Sequence, residues 1–138
     1  MGSRILLVDD EPNNVYLLKK MLDPYGLIFT APSGEDAFDM FVKAHKAGKP
    51  FDVIFLDIIL LDGIHGDEVL RRIREWESFY LDLEDPLVSV VIASSIRERE
   101  VIDRVLREGC EFFMNKPYRI ENISTIMNTL EIDRTPIK

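Results

Sequence analysis

The sequence predicts an α/β domain in which a five-stranded parallel sheet is wound by helices on both faces. Two observations carry this. Short β-branched and aliphatic runs alternate with longer stretches whose apolar residues recur at helical spacing, and the chain is 138 residues long, a length that suits one such layered unit. Five βα repeats with right-handed crossovers build a parallel sheet.

The first strand is expected over Arg4 to Val8, followed by a helix with Val15, Leu18, Met21 and Leu22 on one stripe. Pro12 suits its first turn, where the missing N–H costs nothing, and Gly26 is expected to stop it. The second strand is Leu27 to Ala31. Ser33-Gly34-Glu35-Asp36 then reads as a capping box, with Asp in place of the usual Glu, opening a helix with Ala37, Phe38, Phe41 and Val42 inward. The third strand spans Asp52 to Leu56. Because the first and third runs, Ile5 to Val8 and Val53 to Leu56, are apolar at consecutive positions, both belong in the middle of the sheet. The third helix carries Val69, Leu70, Ile73 and Trp76 and runs long, with Phe79 and Tyr80 expected to pack inward among Glu75, Glu77, Asp82, Glu84 and Asp85. After the fourth strand, Ser89 to Ala93, the stretch Ser95-Ile96-Arg97-Glu98 reads as a second capping box for a helix bearing Val101, Ile102, Val105 and Leu106, stopped at Gly109. Phe112 to Asn115 and a helix with Ile123, Ile126, Met127 and Leu130 complete the series.

Composition narrows the function. With 17 Lys+Arg against 25 Asp+Glu and 46% hydrophobic residues, the chain is neither a disordered acidic tail nor a membrane protein, and direct nucleic-acid binding is not expected. The single cysteine, Cys110, permits no internal disulfide and reads as a small buried hydrophobe. A cytoplasmic setting is expected. His45 and His65 read as structural and solvated, respectively.

In a parallel sheet the residues ending each strand gather along one edge, where ligands bind at the point of strand reversal. Collected here are Asp9, Asp10 and Glu11 after the first strand, Asp57 after the third, Ser94 and Ser95 after the fourth, and Lys116 with Pro117 after the fifth. Carboxylates about 4 Å apart repel by roughly 4 kcal/mol at an effective dielectric near 20, so the cluster calls for a counter-charge. Oxygen-only donors favour Mg²⁺, or Mn²⁺, over zinc, held by Asp10, Asp57 and Asp9. Asp57 then becomes a candidate nucleophile toward a phosphoryl group, with Lys116 and the Ser94 hydroxyl around the phosphoryl oxygens.

The run Ile5-Leu6-Leu7-Val8-Asp9-Asp10-Glu11, with Asp57, Ser94 and Lys116-Pro117 in the same order and at similar spacings, resembles the receiver domain of two-component response regulators over nearly the whole chain. The resemblance implies a flavodoxin-like fold with strand order 2-1-3-4-5 and a receiver domain over residues 1–131, with 132–138 a tail or the start of a linker. It implies that Asp57 accepts phosphate from a sensor histidine kinase or phosphotransfer protein, that Asp9 and Asp10 serve the metal together with the Ile59 backbone carbonyl, and that Lys116 contacts the phosphate. Ser94 would be the switch hydroxyl and Phe113 the aromatic that changes rotamer. A downstream effector or a second copy of the chain would read the surface from Ile96 to Leu130, and the module would not be a conventional enzyme. The residues after Leu130 are too few for a DNA-binding unit. Apolar Ile59 and Ile96, two residues beyond Asp57 and Ser94, imply slow loss of the phosphate.

This sequence departs from the family pattern after Asp57. Leu61 and His65 stand where a proline and a glycine are usual, Gly66 comes one residue late, and Ser95 follows the switch hydroxyl in place of alanine. Two rival readings remain. One is a phosphatase of the haloacid dehalogenase type, disfavoured because Asp9 and Asp10 are adjacent and Glu11 holds the position that chemistry gives to a second aspartate. The other is a receiver-like module whose altered loop from Ile58 to Gly66 blocks phosphorylation.

Overall fold

A computed structural model describes residues 2–58 and 65–134. Its five-stranded sheet has the order β2-β1-β3-β4-β5, every pairing parallel. The strands are β1 (Ser3–Val8), β2 (Gly26–Ala31), β3 (Val53–Asp57), β4 (Ser89–Ser94) and β5 (Phe112–Asn115), and the helices are α1 (Pro12–Leu22), α2 (Gly34–Lys46), α3 (Gly66–Tyr80), α4 (Arg99–Arg107) and α5 (Ile120–Thr129). β1 and β3 are central, as their unbroken apolar runs require. Their residues split by alternation into two cores. Leu6, Val8, Ile54 and Leu56 face α2 and α3, with Phe41, Val69, Leu70 and Ile73, while Ile5, Leu7, Val53 and Phe55 face α1 and α5, with Leu18, Leu22, Ile123 and Met127. At about 25 cal/mol per Å² of apolar surface, two cores on one sheet supply the main driving force without staples. Cys110 lies in the first core, and burial pushes its thiol up to about 11. Ile132 closes the second core beneath α5, its N–H donating to Met127 O at 2.9 Å.

The punctuation partly differs from the expectation. Ser33 does cap α2, its hydroxyl accepting from the Asp36 N–H at 3.2 Å, and Gly109 ends α4 at φ +105°. Gly26 does not stop α1. That helix ends at Leu22, a 3₁₀ turn over Asp23–Tyr25 follows, and Gly26 opens β2 with extended backbone. A glycine is needed there for a different reason, since a Cβ would collide with the backbone of Ser3 on the neighbouring strand. Nor does Ser95 form a capping box. α4 starts at Arg99 with Glu98 as its cap residue and no side-chain cap bond. The hydroxyl in use is that of Ser94, which accepts from the Ile96 N–H at 3.1 Å and so turns the chain before the helix can begin.

A polar hub sits at the other end of the sheet. Arg74 on α3 donates to Glu77 at 2.7 Å, to Glu111 at 2.8 Å and to the carbonyls of Val88 and Gly109, while the buried Glu77 carboxylate also accepts the Val88 N–H. One guanidinium thereby ties α3 to the starts of β4 and β5. Phe79 and Tyr80 do not pack inward; Phe79 stands off the stripe that buries Ile73 and Glu77, and Tyr80, though on that stripe, is the last residue of α3 and is exposed.

Candidate functional site

The ends of β1, β3, β4 and β5 meet at one edge, and the expected residues come together there. Asp57 is the last residue of β3 and Asp9 directly follows β1; both side chains are buried. Asp10 is half-buried beside them. The three aspartates each offer a carboxylate oxygen within 4.8 Å of the others. Lys116 extends from the end of β5 between two of them, its ammonium 2.9 Å from Asp57 Oδ2 and 3.3 Å from Asp9 Oδ2. Burial works to lower the Lys116 pKa, but the Asp57 and Asp9 carboxylates outweigh it and hold the ammonium above its ordinary value. Lys116 therefore stays charged, one cation against three anions.

The local backbone aims these groups. The Lys116 N–H donates to the carbonyl of Ser94 at 2.9 Å, and the Lys116–Pro117 bond is cis. Ser94 is fully buried at the end of β4, next to the strand that carries Asp57. Phe113 is partly buried one pairing away, against Ile92 on β4, and it lines a groove of about 460 Å³ with Arg97, Lys116 and Arg119. Gly66 opens α3 with its N–H on Ile58 O at 2.9 Å, where any Cβ would strike the Asp57 backbone, so this glycine lets α3 start close against the end of β3. Ile59, expected as a ligand through its carbonyl, lies outside the described residues.

One participant escaped the sequence reading. Tyr118, two residues past Lys116, is buried and donates its hydroxyl to Asp9 Oδ2 at 3.2 Å, with the Lys116 ammonium 5.8 Å from its ring centroid. Burial first, then the Asp9 and Asp57 carboxylates, push its phenol well above the usual range, so it remains a donor. Asp9 is thus gripped three times, by Tyr118, by Lys116 and by the Glu11 N–H at 2.9 Å on Oδ1. No spacing rule pairs a tyrosine with an aspartate 109 residues away; only the edge-gathering logic applied one step past Lys116 could have suggested it.

The donor set suits a hard divalent cation. It is all carboxylate oxygen, compact and adjacent on the Asp9 and Asp10 side to a cavity of about 690 Å³ that Tyr16, Lys19 and Thr30 also line, with room for the waters such an ion keeps.

Residues 5–128 match the response regulator receiver domain. The chain belongs to that family. The receiver domain is 36% identical to the transcriptional regulatory protein TrcR of Mycobacterium tuberculosis over 123 residues, 87% of this chain and 42% of the relative. It is 29% identical to protein PilH of Pseudomonas aeruginosa over 131 residues, 93% of this chain and 97% of that protein. It therefore spans well under half of TrcR and nearly all of PilH. Among solved structures it superposes with a TM-score of 0.77, at 21% identity, on a co-crystal structure of the Saccharomyces cerevisiae histidine phosphotransfer signalling protein Ypd1 and the receiver domain of its downstream response regulator Ssk1. That match covers 92% of this chain and 87% of the other. The receiver domains of two-component signalling share this sheet order and helix arrangement, and no helix among the described residues is long and apolar enough to cross a membrane.

Proposed function

We propose that this receiver domain is a cytoplasmic phosphorylation switch in which Asp57 accepts a phosphoryl group from a sensor histidine kinase or a phosphotransfer protein. The observation that carries the reading is the Lys116 ammonium held 2.9 Å from the Asp57 carboxylate inside a three-aspartate cluster. One Asp57 oxygen attacks phosphorus, the N–P bond of the donor phosphohistidine breaks, and the imidazole leaves, giving an acyl phosphate. Asp9, Asp10, Asp57 and the Ile59 carbonyl would hold Mg²⁺ or Mn²⁺. The ion, when bound, would neutralise the acids and the phosphoryl oxygens.

Lys116 lies ready to pair with a phosphoryl oxygen on Asp57, and turning the Ser94 side chain to donate its hydroxyl to another would draw it away from the Ile96 N–H it now accepts. Releasing Ile96 frees the turn into α4, and Phe113, between β4 and the Arg97 groove, follows by changing rotamer. The face from Ile96 to Leu130 then presents a changed surface to a downstream effector or to a second copy. The receiver unit is taken as residues 1–131, with 132–138 a tail or linker whose first residue, Ile132, packs back on the second core.

A phosphatase of the haloacid dehalogenase type is disfavoured because Asp9 is held by Tyr118 and Lys116, and Glu11, the carboxyl two residues beyond it, caps α1, its Oε1 accepting from the Asn13 N–H at 3.1 Å. Incubation with Mg²⁺ and acetyl phosphate, or with a beryllofluoride mimic, separates the readings. A stable adduct abolished by Asp57→Asn supports the switch. Rapid turnover of phosphate esters would establish the phosphatase, and no response would establish a non-phosphorylated module.

A further inference from the structure

The C-terminal turn of α3 presents an aromatic surface that the switch does not use. Phe41, buried in the core, meets Trp76 edge-on at 5.4 Å; Trp76 meets Tyr80 at 5.1 Å, and Tyr80 meets Phe79 at 4.9 Å. The ladder leads from the core to solvent, where Phe79 is 78% and Tyr80 64% exposed. Trp76, Phe79 and Tyr80, with Phe38 of α2, line a groove of about 420 Å³. The chain leaving α3 adds Leu83 and Leu87, also exposed. Apolar residues this large normally reach solvent singly, not as a contiguous group.

The groove is lined by Glu75 and Arg72, and the chain that follows α3 is acidic. Between Arg74 and Arg97 the sequence holds no Lys or Arg, but it has Glu75, Glu77, Asp82, Glu84 and Asp85. Glu77 is buried and neutralised by Arg74, whereas Glu75, Asp82, Glu84 and Asp85 are exposed. The base that does line the groove, Arg72, pairs with Glu68 on its own helix at 3.4 Å. Because Glu77 bonds the start of β4, this surface lies at the opposite edge of the sheet from Asp57.

We propose that the Trp76–Phe79–Tyr80 groove is a docking site for a basic amphipathic segment of a partner protein. The occupant's apolar stripe would sit on the rings and its Lys or Arg side chains would meet Glu75, Asp82, Glu84 and Asp85. Aromatic anchors surrounded by charge match the anatomy of recognition surfaces for amphipathic helices, and cationic side chains over exposed Tyr and Phe faces add to the attraction.

Trp76 is the only tryptophan, so its fluorescence reports this groove alone. The probe is a short amphipathic peptide of leucine and lysine, with a leucine–glutamate peptide of the same pattern as control. Titration of the lysine peptide into the intact protein is expected to give a saturable shift of Trp76 emission that weakens as salt is raised, with none from the glutamate peptide. The double variant Phe79→Ser/Tyr80→Ser keeps every charge and alters only exposed side chains; it is expected to bind at least about tenfold more weakly. Equal binding by that variant would mean only a polyanion's attraction for a polycation and would overturn the proposal. Binding of the glutamate peptide would overturn it too. So would concentration-dependent dimerisation that the double variant abolishes, since the occupant would then be a second copy.

Discussion

Replacing Asp10 with Asn is expected to stabilise the protein in the absence of metal and to remove its response to metal. Two unit charges 4.8 Å apart repel by ~3.5 kcal/mol at an effective dielectric of ~20 and by ~0.9 kcal/mol at that of water, ~80. Three aspartates make three such pairs, and Lys116 contacts two of the carboxylates directly. Asp10→Asn deletes two repulsions along with part of the attraction to Lys116, a net relief of about one pair, or ~1–3 kcal/mol. A domain of this size shifts Tm by about 3–4 °C per kcal/mol, so the variant should melt about 3–12 °C higher without Mg²⁺. Mg²⁺ at about a hundredfold above its Kd should add ~2.7 kcal/mol to the wild type, raising its Tm by about 8–10 °C, and do little for the variant. Thermal melts of both proteins with and without Mg²⁺ check this. A variant that melts below the metal-free wild type, or one that keeps the full Mg²⁺ shift, would refute the electrostatic reasoning.

Other expectations follow from the same structure. Arg74→Ala leaves the buried Glu77 carboxylate without its cation and should cost about 3–5 kcal/mol, a drop in Tm of 10 °C or more; removing the exposed Lys43, paired with Asp39 on α2, should leave the melt unchanged. Tyr118→Phe keeps the ring but loses the bond to Asp9, which urea denaturation should register as about 1–2 kcal/mol, and isothermal titration should show a changed Mg²⁺ affinity. Burial between Phe41 and Trp76 holds the His45 pKa below its ordinary 6.5, so the unfolded chain binds the proton more readily; stability should fall as pH drops through about 6.5 and this slope should flatten in His45→Phe. Ile96→Glu should change the decay rate of phosphorylated protein, followed by loss of the phosphoryl mass.

What the sequence makes legible is what local pattern controls. Consecutive apolar residues at Ile5–Val8 and Val53–Leu56 identify the central strands, and strand ends at one edge bring Asp9, Asp57, Ser94 and Lys116 together without any knowledge of side-chain contacts. The misses arise where tertiary partners decide. Glu77 stands seven residues after Leu70 and four after Ile73, on the same stripe, and so could have been read as a buried acid needing a cation. That its cation is Arg74 and that Glu111 joins them depends on a meeting across 37 residues. Tyr118 reaches Asp9 over a still longer separation. Gly26 and the Ser95–Glu98 stretch were misread because the same residue types serve two purposes: Gly26 answers a close approach of neighbouring strands, and the hydroxyl of Ser94, not that of Ser95, organises the turn. Phe79 and Tyr80 show the limit of the rule that large apolar side chains point inward, since Phe79 falls off the inner stripe and Tyr80 falls at the very end of the helix.

The phosphoacceptor claim is tested most directly by reductive trapping. Borohydride converts an aspartyl phosphate to homoserine, which marks the residue permanently for peptide sequencing. After incubation with acetyl phosphate and Mg²⁺, homoserine is expected at position 57 alone, absent when the metal is chelated. A mark at Asp9 or Asp10, or no mark despite an intact fold, would contradict it.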